Sequence, residues 1–243
     1  AVLTMVVDDP AGYGRVVRDL RISITPRCNF KCTYCDPLGV GHQDPVGTVS
    51  VQDIANVVEA AAGLVMEAVR FTGGEPLLRQ ELPDMIAHAK RTVGIHDVAL
   101  TTNASLLKRR LPELLEAGLD RVNISMDAVD PEVFKKATNG GNIKQVWEGI
   151  EAVMEAGLAP VKINAVVMRG VNDSEISRLS ELTKSQSIHV RFIEYMHLNN
   201  ADRDSYAKHF MPGREIKEIV ETAFGKLEPV STDPSAPARL FKV

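Results

Sequence analysis

Residues 28–35 read Cys-Asn-Phe-Lys-Cys-Thr-Tyr-Cys, and this stretch contains every cysteine of the 243-residue chain. Cys28, Cys32 and Cys35 follow a C-x3-C-x2-C spacing. Three thiolates this close in sequence can hold three corners of a cubane iron–sulfur cluster, and they leave the fourth iron to a ligand from outside the protein. The spacing therefore predicts a cluster with one open coordination site.

Two other uses of these cysteines have to be compared with a cluster. A disulfide framework needs paired cysteines and an oxidising compartment, whereas this chain has three clustered cysteines and no basic-then-apolar secretory signal pattern. A structural zinc site usually has four cysteine or histidine ligands, and His42 is the only nearby candidate for the fourth. A non-catalytic zinc-binding protein therefore stays open as an alternative.

Composition and charge limit the class of protein. The chain is 44% hydrophobic and 25% charged, which is typical of a globular domain. A net charge of −4 gives no general attraction to nucleic acid or anionic membranes, so an anionic substrate has to be bound by local cations. No apolar run approaches the length of a membrane span. We expect a cytoplasmic protein, or a mitochondrial matrix protein if the source is eukaryotic, with neither nucleic acid nor membrane as a partner.

Short β-branched runs alternate with longer segments of helical periodicity, as in βα units around a parallel sheet. Six such units predict an α/β fold, a partial (β/α)6 TIM-type barrel. Residues 1–19 are predicted to be an N-terminal arm, and residues 20–243 the barrel domain. The predicted strands are 20–25, 68–72, 97–101, 121–125, 161–168 and 188–193, and the predicted helices are 50–62, 81–92, 107–117, 143–156 and 173–186.

Local signals mark several helix ends. Ser50 with Asp53 is typical of a helix N-terminus that is capped by side chains. Gly63, Gly118 and Gly157 each lie between an alanine and a leucine. We expect each of these glycines to end a helix in the left-handed conformation before the next strand.

Four cations lie where a buried strand normally has none. Arg21, Arg70, Lys162 and Arg191 interrupt apolar β-like runs, and long cations are unusual on a core face. Strand alternation places each of them on the face opposite its immediate neighbours. We therefore expect the four side chains to point into the barrel, where charge-assisted hydrogen bonds would bind an anionic substrate.

The cysteine loop, with the aromatic Tyr34 immediately before its last cysteine, resembles the signature of the radical S-adenosylmethionine (SAM) superfamily. Further motifs, in the same order along the chain, resemble the GTP 3′,8-cyclase family. These motifs are Leu-Arg-Ile-Ser-Ile-Thr at 20–25, Arg-Phe-Thr-Gly-Gly-Glu-Pro-Leu at 70–77, Leu-Thr-Thr-Asn at 100–103, Asn-Ile-Ser-Met-Asp at 123–127 and Arg-Phe-Ile-Glu-Tyr-Met at 191–196.

The resemblance implies the same partial barrel, with the chemistry at the carboxyl ends of its strands. It also implies three sets of site residues. Cys28, Cys32 and Cys35 would hold a [4Fe–4S] cluster. SAM would be contacted by Tyr34, Gly74, Glu75, Ser125 and Met196, with Glu75 in a supporting role. GTP would be contacted by Arg21, Arg70, Thr101, Lys162 and Arg191.

The resemblance further implies a reaction. A radical SAM lyase of this family converts GTP to (8S)-3′,8-cyclo-7,8-dihydroguanosine 5′-triphosphate through a 5′-deoxyadenosyl radical, the first step of molybdenum cofactor biosynthesis. The implied partners are a one-electron reductant, the enzyme that takes the product toward molybdopterin, and a second copy in a homodimer. A different radical SAM enzyme, acting on a peptide or on another purine, stays open as an alternative.

The sequence departs from the family in two respects, of which the smaller is Ala68, where some members carry a lysine near the phosphates. The cyclases continue into a C-terminal region with three further cysteines, which hold a second [4Fe–4S] cluster. Those ligands are absent from the 243 residues, since all three cysteines lie in the loop at 28–35. We expect the sequence to be a shortened form of a longer cyclase, and a natural short relative that has lost the second cluster stays open as an alternative.

Overall fold

The structure is a computed structural model that describes residues 17–35, 49–185, 187–196, 203–230 and 239–242. Strands and helices alternate along most of the chain. The strands are β1 (Asp19–Ser23), β2 (Ala68–Thr72), β3 (Asp97–Thr102), β4 (Arg121–Ser125), β5 (Val161–Val167), β6 (Ile188–Glu194), β7 (Glu228–Val230) and β8 (Leu240–Lys242). The helices are α1 (Val51–Gly63), α2 (Leu82–Arg91), α3 (Leu107–Glu116), α4 (Pro131–Ala137), α5 (Ile143–Glu155), α6 (Ile176–Ser185), α7 (Arg203–His209) and α8 (Gly213–Phe224), with short 3-10 turns at Pro76–Leu78 and Asp173–Glu175.

The first six strands form one parallel sheet in the order β1-β2-β3-β4-β5-β6. Each strand pairs with the next in sequence, and within the described residues β1 and β6 are the two edges. The predicted α/β partial (β/α)6 barrel is therefore confirmed. In such a barrel all six carboxyl ends open on the same rim.

The outer face of the sheet is apolar and is covered by helices. Val69, Phe71, Val98 and Leu100 are fully buried in one continuous core, together with apolar side chains from α1, α2, α3 and α5. Their strand neighbours of opposite parity point to the other face, into the barrel. This division leaves the inner face free for polar side chains.

Most of the predicted helix ends are correct. Ser50 and Asp53 form a reciprocal capping box at the start of α1. Gly118 and Gly157 follow their helices with φ values of +98° and +77°. The prediction for Gly63 is wrong, because α1 includes Gly63 and the left-handed residue is Val65, with φ of +61°. The amide of Leu64 still donates to Ala60 and Ala61, so the helical bonding runs past the glycine.

The structure also contains elements that the sequence pattern did not predict, namely α4, α7, α8 and β7, which pairs antiparallel with β8. Helix α8 closes a second small core that includes Val167, Ile176 and Val220. Asp19 begins β1, and most of the predicted arm lies outside the described residues, so the proposed domain division stays a prediction. No helix in the described part of the chain has both the length and the apolar character needed to cross a membrane.

Candidate active site

The cysteine loop follows β1 and is tied to two parts of the barrel. The amide of Ile24 donates to the carbonyl of Thr72 at the end of β2, at 2.9 Å. Further on, the amide of Thr33 donates to Ala137 at 3.0 Å, at the end of α4. These bonds hold the loop over the carboxyl ends of the strands.

The three cysteines lie close enough to influence one another's ionisation. Burial raises the pKa of Cys28 and of Cys32, and negative charge on Cys35 raises both further. The Cys28 sulfur accepts hydrogen bonds from the amide of Phe30 at 3.4 Å and from the side chain of Asn103 at 3.9 Å. Without a metal these thiols are therefore held in the neutral form. A bound metal centre with positive charge favours the thiolate form instead, as expected of metal-ligating thiols.

The donor set fits a cluster in which each thiolate binds its own iron. Among the described residues, no group of three or more His, Cys, Asp or Glu side chains converges on a single metal ion. The three sulfurs of a cubane site do not need to converge in that way, because they occupy different corners. All the protein ligands that such a site requires are soft thiolates, which suit iron–sulfur chemistry.

Gly73 and Gly74 follow β2 and bring the backbone into close contact with the start of the cysteine loop. The amide of Gly74 donates to Thr25 at 2.6 Å, and that of Glu75 donates to Arg27 at 2.7 Å. A Cβ on Gly74 would overlap the Arg27 carbonyl oxygen and lie 2.7 Å from that of Pro26. Glycine is required here because no side chain fits between the two loops.

Glu75 lies beneath this contact and is completely buried. Its carboxylate accepts hydrogen bonds from the Thr102 hydroxyl at 2.7 Å and from the amides of Asn103 at 2.7 Å and Leu77 at 3.0 Å. Burial raises the pKa of Glu75, and these three donors oppose the rise. Since both oxygens are already bonded within the protein, Glu75 joins the ends of β2 and β3. It is a positioning residue for the loops that surround the predicted SAM site.

Tyr34 connects the cysteine loop to the end of β4. Its hydroxyl donates to Asp127 at 2.8 Å, and the other carboxylate oxygen of Asp127 accepts from the amide of Val166 at 2.8 Å. Asp127 is 2% exposed and lies near Cys32. The Tyr34 ring thus has a structural function in addition to the SAM contact that the resemblance implies for this residue.

Asp127 leads to a prediction on stability. Burial raises its pKa from 3.8 to about 6, although hydrogen bonds from Tyr34 and the amide of Val166 oppose the rise. Between these values the folded state keeps a proton that the unfolded chain has released. The contribution of Asp127 to the free energy of unfolding is therefore full below the unfolded-state pKa of 3.8. It is lost as the pH rises through the folded-state pKa of about 6. We expect Asp127→Asn to make the free energy of unfolding depend less on pH in this range.

Urea unfolding of the cluster-free protein, measured between about pH 4 and pH 7, tests this expectation through the slope of unfolding free energy against pH. Asp84→Asn, a change on α2 away from the cysteine loop, is the control for the loss of one carboxylate. An equal slope for Asp127→Asn and the parent would contradict the assignment.

The inner face of the sheet brings the four predicted cations together. Arg21 of β1 pairs in register with Arg70 of β2, while Asn164 of β5 pairs with Arg191 of β6. Burial lowers the pKa of Arg70, Lys162 and Arg191, and the charges of neighbouring cations lower each further. The mutual repulsion shows that these side chains, which come from strands far apart in sequence, occupy one space inside the barrel.

A fifth cation, Arg121 at the start of β4, was missed by the sequence analysis. Its Nε donates to Oδ1 of Asp97 at 2.5 Å, and its Nη2 donates to the second carboxylate oxygen. This bidentate bond is the main cause that raises the pKa of Arg121. Burial alone would raise the pKa of Asp97, but Arg121, Arg70 and Lys162 together lower it. Alternation in the predicted strands places Asp97 and Arg121 on the inner face. This alternation was the sequence signal that could have identified the pair.

The remaining predicted contacts lie at different heights of the barrel. Thr101 lies on the inner face in register with Asn123, and Ser125 is the last residue of β4, opposite Asn164. Met196 follows β6 and is 56% exposed. Ser125 and Met196 thus lie toward the rim with the cysteine loop, whereas Thr101 lies deeper.

The arrangement is a well with two chemically different zones. Cysteines, backbone amides and hydroxyls surround the rim, and the inner wall carries five cations, of which Arg121 is paired with Asp97. A positively charged, partly desolvated wall of this kind favours a polyanion, because electrostatic attraction is stronger inside the barrel than in bulk water. The site can therefore hold a metal cluster at its mouth and an anionic ligand beneath it.

Comparison with known proteins agrees with this geometry. The family described as "Radical SAM superfamily" matches residues 22–183. Curated relatives include the GTP 3′,8-cyclase of Petrotoga mobilis, 40% identical over 232 residues, and that of Clostridium botulinum (strain Langeland), 40% identical over 231 residues. Each match covers 95% of this chain and 71% of the relative.

A solved structure shows a related fold. "Native anSMEcpe with bound AdoMet" has a TM-score of 0.67 at 18% identity, and the match covers 85% of this chain and 59% of that one. The family match spans most of the barrel, and the curated relatives match nearly all of this chain. The chain therefore belongs to the radical SAM superfamily and, within it, to the GTP 3′,8-cyclase family.

Proposed function

We propose that this chain is the catalytic barrel of a GTP 3′,8-cyclase, which converts GTP to (8S)-3′,8-cyclo-7,8-dihydroguanosine 5′-triphosphate. The family membership supports the reaction. The observation that carries the substrate assignment is the cluster of cations on the inner face of the sheet. A triphosphate needs such a set of cations, and a neutral peptide does not.

Cys28, Cys32 and Cys35 are the proposed cluster ligands. Gly74 and Ser125 are proposed to bind the methionyl end of SAM, while the backbones of Tyr34 and Met196 contact the rest of it. When bound, the [4Fe–4S] cluster and SAM would supply radical chemistry able to remove a hydrogen atom from C3′ of GTP. The hydrogen bonds to the Cys28 sulfur from Phe30 and Asn103 stabilise the thiolate form at this corner.

The protein contributes binding, orientation and exclusion of water. Arg21, Arg70, Lys162 and Arg191 are proposed to bind the phosphates, and Thr101 to donate a hydrogen bond beside them. The charge of Arg121 is largely offset by the carboxylate of Asp97, so the positive charge of the wall comes mainly from the other four cations, which the strands hold in place. Such fixed charges place the ribose of GTP relative to SAM, and misplacement of about 1 Å can cost roughly a hundredfold in rate.

Lys162→Ala and Arg191→Ala test whether the cations of the well bind the triphosphate of GTP. Each variant removes charge-assisted hydrogen bonds to the triphosphate, so we expect GTP affinity to fall about tenfold or more, with SAM affinity unchanged. Titration of the reconstituted protein with each ligand under anaerobic conditions measures both effects. The control is Lys144→Ala, which removes an exposed lysine of α5.

GTP affinities equal to that of the parent in both variants would refute the substrate assignment. SAM cleavage that responds to a peptide and not to GTP would favour a different radical SAM enzyme. Zinc without iron after anaerobic reconstitution would favour the zinc-binding alternative. The reductant, the downstream enzyme, the homodimer, the second cluster and the cytoplasmic location stay predictions.

A further inference from the structure

Asn123 lies in the middle of β4, on the inner face of the barrel. Its register partners are Thr101 on β3 and Lys162 on β5, two of the proposed GTP contacts. The residue is 1% exposed. Neither the side-chain nitrogen nor the side-chain oxygen of Asn123 has a hydrogen-bond partner among the described residues.

This lack of partners is unusual for a buried asparagine in this protein. Asn172, which is equally buried, donates to the carbonyls of Asp127 and Val166 and accepts from the amide of Met168, each at 2.8 Å. A buried amide without partners lowers the free energy of unfolding. Such a cost, at a position between two proposed ligand contacts, indicates a residue whose partner is the ligand.

The chemistry of the amide limits which part of a nucleotide it can bind. A phosphate oxygen accepts a hydrogen bond and cannot donate one, so it would leave the Asn123 oxygen unpaired. A hydroxyl group both donates and accepts, and vicinal hydroxyls can satisfy both atoms of the amide. Ribose offers such hydroxyls, and the guanine base is the other portion of GTP that both donates and accepts, so the amide chemistry excludes the phosphates and position has to decide between sugar and base.

The position of Asn123 favours the sugar. Ser125, the proposed contact of SAM, lies two residues further along the same face, roughly 7 Å closer to the rim. Lys162 lies at the height of Asn123, and Arg70 lies one inward-facing position lower, two strands away on β2. Arg191 lies at the height of Ser125, two strands away on β6. The part of GTP that reaches from the phosphates to the SAM side of the well is the ribose.

We propose that Asn123 binds the ribose hydroxyls of the nucleoside triphosphate and so holds the sugar below SAM. This inference rests on the proposed function, because it takes GTP as the ligand. In this role Asn123 is a specificity-determining residue. It would distinguish ribonucleotides from deoxynucleotides, since a site built for a hydroxyl is left with unpaired groups when the hydroxyl is missing.

The test compares four ligands on the reconstituted parent protein and on Asn123→Leu. The ligands are GTP, 2′-deoxy-GTP, 3′-deoxy-GTP and inorganic tripolyphosphate, and binding is measured by calorimetric titration. The parent should bind GTP about tenfold more tightly than at least one deoxy analogue. Leucine has nearly the same shape as asparagine but has no amide. In Asn123→Leu the preference for GTP over the deoxy analogue should therefore disappear, while tripolyphosphate affinity stays at the parent value.

Unfolding experiments provide a second readout. Asn123→Leu removes an unpaired buried amide, so its melting temperature should equal or exceed that of the parent. The matched control is Asn172→Leu, which breaks three hydrogen bonds and should melt at a lower temperature. A large loss of stability in Asn123→Leu would show that the amide has partners within the protein, and this would overturn the inference.

The possible outcomes distinguish a failure of the proposed function from a failure of the role assigned to Asn123. A parent protein that does not bind GTP would refute the proposed function itself. A parent that binds GTP but shows no preference over either deoxy analogue would overturn the role of Asn123, and this comparison requires no variant. Equal losses of GTP and tripolyphosphate affinity in Asn123→Leu would show a phosphate contact and would also overturn the ribose assignment.

Discussion

Replacement of Cys28, Cys32 or Cys35 by alanine is expected to abolish the iron–sulfur cluster in each of the three variants. The parent should take up about four irons per chain on anaerobic reconstitution and should turn brown. The sequence contains no other cysteine, so no thiol can replace the one that is lost. Iron and sulfide analysis, together with the visible spectrum, measures the effect.

Lys31→Ala is the matched control, because Lys31 is an exposed residue of the same loop whose amide, and not its side chain, bonds to Thr138. This variant should keep the iron content of the parent. If any one of the three cysteine variants also kept it, the assignment of cluster ligands would be wrong.

The second large effect is expected for Gly74→Ala. The added Cβ would overlap the Arg27 carbonyl oxygen and lie 2.6 Å from its carbonyl carbon, and these are backbone atoms that cannot rotate away. The loop that leads to Cys28 would have to move away from the end of β2. We expect a loss of about 1–3 kcal/mol or more in the free energy of unfolding. Loss of bound iron should accompany it, because the displaced loop carries all the ligands.

Gly63→Ala is the control for this substitution. Gly63 is the last residue of α1, and a Cβ there would meet no atom within 4 Å. It should unfold and bind iron like the parent. Normal iron content and stability in Gly74→Ala would show that the contact between the two loops is not required. Chemical unfolding of both variants, with iron analysis in parallel, decides the point.

Much of the barrel could be predicted because its signals are local. Runs of β-branched residues gave the bounds of β2 and β4 without error, and the alternation within them separated the outer face from the inner one. Helices α7 and α8 and strand β7 were missed. Helix α8 depends on packing against a core that includes Val167 and Ile176, and such long-range contacts leave little trace in a short window of sequence.

Site residues could be predicted where their type is unusual for the surrounding sequence. The three cysteines and the four cations in apolar strands are conspicuous in the sequence, whereas Arg121 and Asp97 stand at strand ends, where charges are ordinary. Glu75 shows a different limit. The sequence associated it with SAM, but the structure shows its carboxylate bonded to Thr102, Asn103 and Leu77. Only the structure shows which partners a buried polar group has.

The central claim is that GTP lies in the cationic well with its ribose next to SAM. It is tested most directly with GTP deuterated at C3′, reductant and the reconstituted protein, by mass analysis of the 5′-deoxyadenosine that is formed. We expect GTP to accelerate SAM cleavage and deuterium to appear in the 5′-deoxyadenosine. Unlabelled 5′-deoxyadenosine, formed at the same rate with and without GTP, would contradict it.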